Sequence, residues 1–207
     1  MRKSANRFKI SSEGKGLLAI LSAPSGCGKT TLLARLLKRH PDWVRSISVT
    51  TRPPRPEEKD GRDYEFVSLR EFRTLSRRAA FLEWARIFGH YYATPRKPVE
   101  EAVRKGRTVI LAVDIQGTRS ILRRAGGEIP CFSIFVLPPS IPALRERLEK
   151  RNTDSAGEIE KRIKRAEEEI KAAREYDRTV VNLDLAQTTH EIEGLISEFE
   201  KQREGGT

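Results

Sequence analysis

Apolar and polar positions follow two alternating rhythms along this chain. Leu17–Ser22 is an unbroken apolar run that predicts a short buried strand. From Thr30 to Arg39, Leu32, Leu33, Leu36 and Leu37 share one face at helical spacing. Ser46–Thr50 reads as a strand, and Thr108–Val113 and Cys131–Leu137 are apolar, β-branched runs suited to the middle of a parallel sheet. Helices are expected after each of these two, at about 115–125 and 140–150, the second with Ser140 as N-cap and Pro142 in its first turn. Ile159, Ile163, Ala166, Ile170 and Ala173 trace an apolar stripe over 157–174, and the other faces of that helix are almost entirely charged. Thr179–Asn182 predicts a short strand, and Ile192, Leu195, Ile196 and Phe199 a closing amphipathic helix. Strand and helix in alternation are the mark of a layered α/β fold. Between 51 and 94 the rhythm breaks into a turn-rich stretch, a helix near 69–78 and an aromatic run, which predicts an inserted lobe with its own small sheet.

The join between the first strand and the first helix carries the clearest chemistry. Ala23-Pro24-Ser25-Gly26-Cys27-Gly28-Lys29-Thr30 is a P-loop pattern with Ala in place of the first Gly. Gly26 and Gly28 let the backbone curl so that successive amides point at one phosphate, and the helix N-terminus adds partial positive charge. Lys29 supplies a cation for the outer phosphates, and the Thr30 hydroxyl is a ligand for magnesium. Residues 23–30 together with Thr31 are therefore the expected contacts to a nucleoside triphosphate. Ala23 removes one permissive position, so its φ is expected to be negative. Cys27, at a helix start beside Lys29, is expected to react with thiol reagents faster than Cys131 on a core strand.

Composition narrows the class further. The 207 residues are 37% apolar and 33% charged, the balance of a soluble globular protein, and no apolar run reaches membrane-spanning length. Two cysteines make no disulfide framework, so the expected location is a reducing cytoplasm. The net charge is +11, of which residues 1–16 hold +4, five Lys and Arg against Glu13. That segment is read as a flexible basic tail; a contact to acidic partners and a mitochondrial-type presequence are the other readings of its composition. Tail and six candidate phosphate-facing cations (Lys29, Arg52, Arg55, Arg147, Arg151, Arg162) account for +10, so the balance of charge implies no extended basic stripe for nucleic acid. His40, His90 and His190 have neither metal spacing nor a nucleophile partner.

The expected lobe supplies the second half of the chemistry. It contains Ser48-Val49-Thr50-Thr51-Arg52-Pro53-Pro54-Arg55, then Asp63-Tyr64, Glu83-Trp84-Ala85 and Tyr91-Tyr92-Ala93-Thr94, followed by Val113-Asp114-Ile115-Gln116-Gly117 and an Arg-rich segment. With the P-loop, and in this order, the chain from about 17 to 200 resembles the guanylate kinases. The resemblance implies a three-layer α/β/α P-loop fold with a five-stranded parallel sheet, and the transfer of a phosphoryl group from ATP, with Mg2+, to GMP. It divides the chain into a core (17–50, 95–150 and 165–200), a GMP lobe (51–94) and a lid (151–164), with 1–16 and 201–207 as flexible tails. It implies that Arg52, Arg55, Tyr64 and Tyr92 hold the GMP phosphate, that Ser48 and Thr94 donate to the guanine carbonyl, and that Glu83 accepts from the ring N–H and amine with Asp114 nearby. Arg147, Arg151 and Arg162 would close over the transferred group, and Asn182 would lie by the adenine. Three positions depart from the family pattern: Ala23, Glu57 in place of Gly after Arg55, and Ala112 in place of an Asp, which leaves Asp114 as the only carboxylate at that strand end.

Two other classes compete with this reading, a nucleic-acid binder, which the charge balance above opposes, and a scaffold; a kinase of the same superfamily is a nearer rival. An inactive scaffold module could use the same Arg and Tyr cluster to read phosphopeptides, but the intact Gly28-Lys29-Thr30 and the lid arginines oppose it. A P-loop kinase acting on a ribose phosphate would not need Glu83 and two base-facing hydroxyls. The expected partners are the small molecules ATP and GMP, with no membrane and no nucleic acid; the number of subunits is left open.

Overall fold

The computed structural model describes residues 16–87, 89–125, 129–150 and 155–204. Arg151, together with the rest of the first turn of the expected lid, lies outside the described residues, as does most of the basic tail.

Nine strands and seven α-helices are described. The main sheet joins β1 (Leu17–Ser22), β2 (Val44–Arg45), β7 (Thr108–Ala112), β8 (Cys131–Leu137) and β9 (Arg178–Val181) in the order β2-β7-β1-β8-β9, all parallel. β1 is buried along its whole length, as its unbroken apolar run requires. β8 and β9 pair with Val136 opposite Val180. The fold is α/β with a five-stranded parallel sheet, as the alternating pattern predicts. A second sheet, in the order β4-β3-β6-β5, is made by β3 (Val49–Thr50), β4 (Glu65–Phe66), β5 (Phe81–Ile87) and β6 (His90–Pro95).

The helices follow the expected positions with one addition. α1 (Lys29–Arg39), α2 (Leu69–Arg77), α4 (Ile115–Ala125), α5 (Ile141–Lys150), α6 (Ala156–Lys171) and α7 (Leu185–Glu204) answer to the apolar stripes. Ser140 caps the start of α5 by accepting from the Ala143 amide at 3.2 Å. A 3-10 turn, Ala172–Glu175, ends α6 sooner than the stripe predicts. The unexpected helix is α3 (Arg96–Arg104), which buries Val99, Ala102 and Val103. Of the strand expected over Ser46–Thr50 only Val49–Thr50 forms, in the second sheet; Val44–Arg45, before the expected start, joins the main sheet, and 46–48 link the two strands.

The chain forms two compact units. One contains the described residues of 43–109 and 116–131, with Gly16, Leu17 and Leu18; the other contains 19–42, 110–115 and the described residues from 132 on. In the first, Val49, Phe72, Phe81 and Ala93 form a small core with Val67, Leu75 and Tyr91 against it. Burying each large apolar side chain there contributes roughly 1.5–3 kcal/mol.

Candidate active site

The second unit carries the phosphate loop. Gly26 and Gly28 have φ of 95° and 82°, values that glycine adopts without strain. A Cβ at Gly26 would also meet Leu148 Cδ2 at 2.8 Å. Ala23 is not among the described residues with positive φ, so its side chain costs the loop nothing. α1 starts at Lys29 with no capping side chain and no acid in its first turn, which leaves its amide donors and partial charge for an anion. Thr30 and Thr31 are exposed on that turn.

Lys29 lies in a charged cluster that the sequence reading missed. Its Nζ donates to the Val113 carbonyl at 3.2 Å, and Ser22 Oγ donates to the same oxygen at 2.8 Å. Burial pushes the ammonium below its usual pKa, while the Asp114 and Glu169 carboxylates pull it back up and Arg165 opposes them. Arg165 stands between those acids, Nε on Glu169 at 2.7 Å and a terminal nitrogen 3.9 Å from Asp114. Asp114 is the one carboxylate at the end of β7, but α6 brings a second into the same neighbourhood. The signal was Arg162, Arg165 and Glu169 at helical spacing, a row indistinguishable in sequence from a solvated face.

Two further contacts brace the loop. Asn182, 2% exposed, donates its amide to the Cys27 carbonyl at 2.8 Å, and Thr188 donates to its Oδ1 at 3.3 Å. Its side chain is thus committed to the loop backbone. Arg162 donates to Ser25 Oγ at 2.9 Å, and Arg147 to the Asn182 carbonyl at 2.9 Å. Cys27 is fully buried, whereas Cys131 is half-buried. On access, the expected order of thiol reactivity is therefore reversed.

In the first unit the lobe sheet sorts its residues by face. β5 and β6 pair with Glu83 opposite Thr94, Trp84 opposite Ala93 and Ala85 opposite Tyr92. Alternation places Glu83 and Thr94 on one face and Trp84 and Ala93 on the other. Glu83 is 4% exposed and accepts from Thr94 Oγ1 at 2.7 Å. β3 sets Thr50 opposite Tyr92, with half-buried Ser48 just before it.

Arg52 is held from several sides. Its Nε donates to Tyr92 Oη at 3.1 Å, one terminal nitrogen donates to both Glu58 oxygens at 2.7 and 2.8 Å, and the other to the Pro53 carbonyl at 2.7 Å. Its guanidinium also lies 5.5 Å from the Tyr64 ring. Burial pushes the Tyr64 phenol up, and the neighbouring Tyr92 adds to the rise. Burial would raise the Glu58 pKa, but the Arg55 amide, at 2.8 Å, and the Arg52 guanidinium overcome it and hold the carboxyl below its usual value. Glu58 was missed in the sequence because one acid among the charges of 55–63 has no distinguishing spacing. Arg55 itself is exposed. Glu57 has no positive φ, so the departure from Gly needs no strained backbone.

A backbone-built phosphate cradle on a parallel α/β sheet, together with a lobe that places a buried carboxylate and an Arg–Tyr cluster on one β-sheet face, defines a P-loop phosphotransferase with a separate acceptor lobe. The guanylate kinase family model matches residues 15–199. Guanylate kinase of Synechocystis sp. is 46% identical over 186 residues, 90% of this chain and 96% of its own. Guanylate kinase of Wolbachia sp. subsp. Brugia malayi is 42% identical over 193 residues, 93% and 98% of the two chains. The crystal structure of guanylate kinase from Anaplasma phagocytophilum superposes with a TM-score of 0.75 at 33% identity, covering 91% of this chain and 88% of that one. The chain belongs to the guanylate kinase family.

Proposed function

We propose that this chain phosphorylates GMP to GDP with ATP as donor, through the residues brought together in its two units. The observation that carries the acceptor is the buried Glu83 carboxylate with Thr94 on it. Guanine presents a ring N–H and an amine side by side, and a carboxylate accepts from both; adenine presents an acceptor at the corresponding ring position. Ser48 donates to the guanine carbonyl, and Thr94 does so once its one hydroxyl hydrogen turns from Glu83, which then accepts from the base. Arg52 and Tyr92, already joined at 3.1 Å, hold the acceptor phosphate with Arg55 and Tyr64. The contacts named are to base and phosphate, so dGMP is accepted as well. Asp114 approaches the guanine amine.

On the donor side, the amides of 25–30 and Lys29 take the ATP phosphates. Asn182 acts through the loop carbonyl it holds as well as lying near the adenine. The exposed Thr30 hydroxyl is a hard oxygen donor that fits Mg2+ and would hold it beside the phosphates. When bound, Mg2+ neutralises charge on the outer phosphates. Lys29 leaves the Val113 carbonyl for the phosphates, and Arg165 then remains to balance Asp114 and Glu169. Arg147, Arg151 and Arg162 stabilise the equatorial oxygens in the transition state. The GMP phosphate is already anionic, so no general base is needed. In domain terms the proposal keeps 51–94 as the GMP lobe and 151–164 as the lid. No described helix is long and apolar enough to cross a membrane, and a cytoplasmic location is part of the proposal.

A coupled assay of ADP release with GMP, dGMP, AMP, CMP and UMP tests the acceptor. Activity confined to the guanine nucleotides is expected; equal turnover of AMP would overturn the role of Glu83.

A further inference from the structure

The lobe sheet has a second face, away from Glu83, that nucleotide phosphorylation does not use. α2 buries Phe72 and packs Leu75 against the small core, which leaves Arg70, Arg73 and Arg77 exposed on its solvent side with Arg78 directly after. Spacings of three and four residues align the first three in one row. Segment 69–78 has Glu71 as its only acid, so its charge is 4 − 1 = +3. The Glu71 carboxylate is engaged at the helix start, accepting from the Ser68 amide at 2.8 Å. Among the described residues, no ion pair involves these four arginines.

An aromatic group is exposed on the sheet face that α2 packs against. Trp84 is 45% exposed, edge-on to Phe72 at 6.3 Å and 5.7 Å from Tyr91. Two residues along the strand, exposed Arg86 lies over the Tyr91 ring at 5.8 Å.

We propose that this face binds single-stranded nucleic acid, with the arginine row on phosphates and Trp84 against an unstacked base. Guanidinium forks match phosphate oxygens bidentately, and the unpaired charge of the row calls for a polyanion. An indole offers a stacking surface to any base outside a duplex, whereas bases within a duplex are already stacked. An anionic membrane fits less well: the apolar side of α2 is buried inward, leaving Leu69 and Trp84 as the large exposed apolar groups of the face. The whole-chain charge balance hid this face because it nets a local excess of Arg against acids elsewhere.

The test uses a fluorescent oligouridine RNA about 15 nucleotides long, followed by anisotropy. With four phosphates neutralised, Kd rises roughly 50-fold between 50 and 200 mM salt, and Trp84 emission is quenched on binding. R73E/R77E weakens binding at least about tenfold and roughly halves the salt slope, while GMP phosphorylation stays within about twofold. K171E/K201E, an equal charge change at exposed positions of the other unit, leaves RNA binding within about threefold. The milder R73Q/R77Q shows the same loss at smaller size and carries the test if charge reversal disturbs α2. W84L removes the quenching. The proposal is overturned if the wild type binds no RNA at 50 mM salt, if both charge reversals weaken binding alike, or if a duplex of equal length binds as tightly. It is also overturned if phosphatidylserine vesicles, and not RNA, show the dependence on Arg73 and Arg77.

Discussion

The two regions proposed to bind phosphate are built from different materials. In the loop of 23–30 the donors offered are backbone amides, fixed by two positive-φ glycines and a helix start, with Lys29 beside them. In the lobe the donors are side chains from β6 and the turn after β3, and Arg52 is held in place by Glu58 and Tyr92. A backbone cradle is insensitive to most side-chain substitutions but depends heavily on Lys29, the cation within it. A side-chain cluster spreads its dependence, and each member needs a neighbour to orient it. The donor side should therefore fail steeply at one position, and the acceptor side in graded steps.

Lys29→Ala is the most severe test of that contrast. The kcat is expected to fall by about three orders of magnitude, while the melting curve and GMP affinity stay near wild type. A variant retaining a tenth of wild-type turnover would remove Lys29 as the decisive cation. Glu83→Gln comes next. It keeps the shape but loses the charge and half of the paired acceptors, so kcat/KM for GMP should drop at least about a hundredfold, with ADP affinity within about threefold. Equal losses for GMP and AMP would show that Glu83 supports the lobe instead of reading the base.

Smaller effects separate orientation from contact. Glu58→Gln frees the Arg52 guanidinium and the turn at Arg55, and KM for GMP should rise about tenfold with kcat little changed. pH supplies the same perturbation in the wild type. Because the folded Glu58 pKa lies below its usual value, the stabilisation is present above that usual value and is lost as pH falls through the lowered one. KM for GMP should therefore climb in acid, and the climb should be absent in Glu58→Gln. Arg165→Gln has the smallest expected effect: KM for ATP up about threefold, as Asp114 and Glu169 hold Lys29 more firmly, with recovery in Arg165→Lys. Unchanged ATP kinetics in Arg165→Gln would separate that arginine from the working of Lys29.

The same contrast decided what the sequence disclosed. The loop is eight contiguous residues whose geometry follows from their order, so β1, the glycines, Lys29 and α1 were legible at once. The strands and most helices followed from apolar spacing. α3 escaped because Pro95 and Pro98 punctuate a segment whose stripe, Val99, Ala102 and Val103, is only three residues long. The division of 44–50 into two short strands of different sheets depends on tertiary pairing that local propensity does not encode. Glu83 and Thr94 emerged from their resemblance to a family motif, while their contact across β5 and β6 needed the register. Glu58, Arg165 and Glu169 stayed hidden because each matters through a partner distant in sequence or set among other charges. The burial of Cys27 was missed for a related reason: the residues that cover the loop belong to α5 and the end of β9.

That cover bears on how the enzyme comes into being. The Asn182 amide meets the Cys27 carbonyl across 155 residues of chain. On a ribosome adding about 5–20 residues per second, some 8–30 s separate the making of the loop from the making of its brace. Through that interval the nascent chain carries the loop without the side chain that holds the Cys27 carbonyl, and without Arg162 on Ser25. Competence for ATP is thus deferred to the last stage of synthesis, and a chain released before Asn182 has its cradle unfinished.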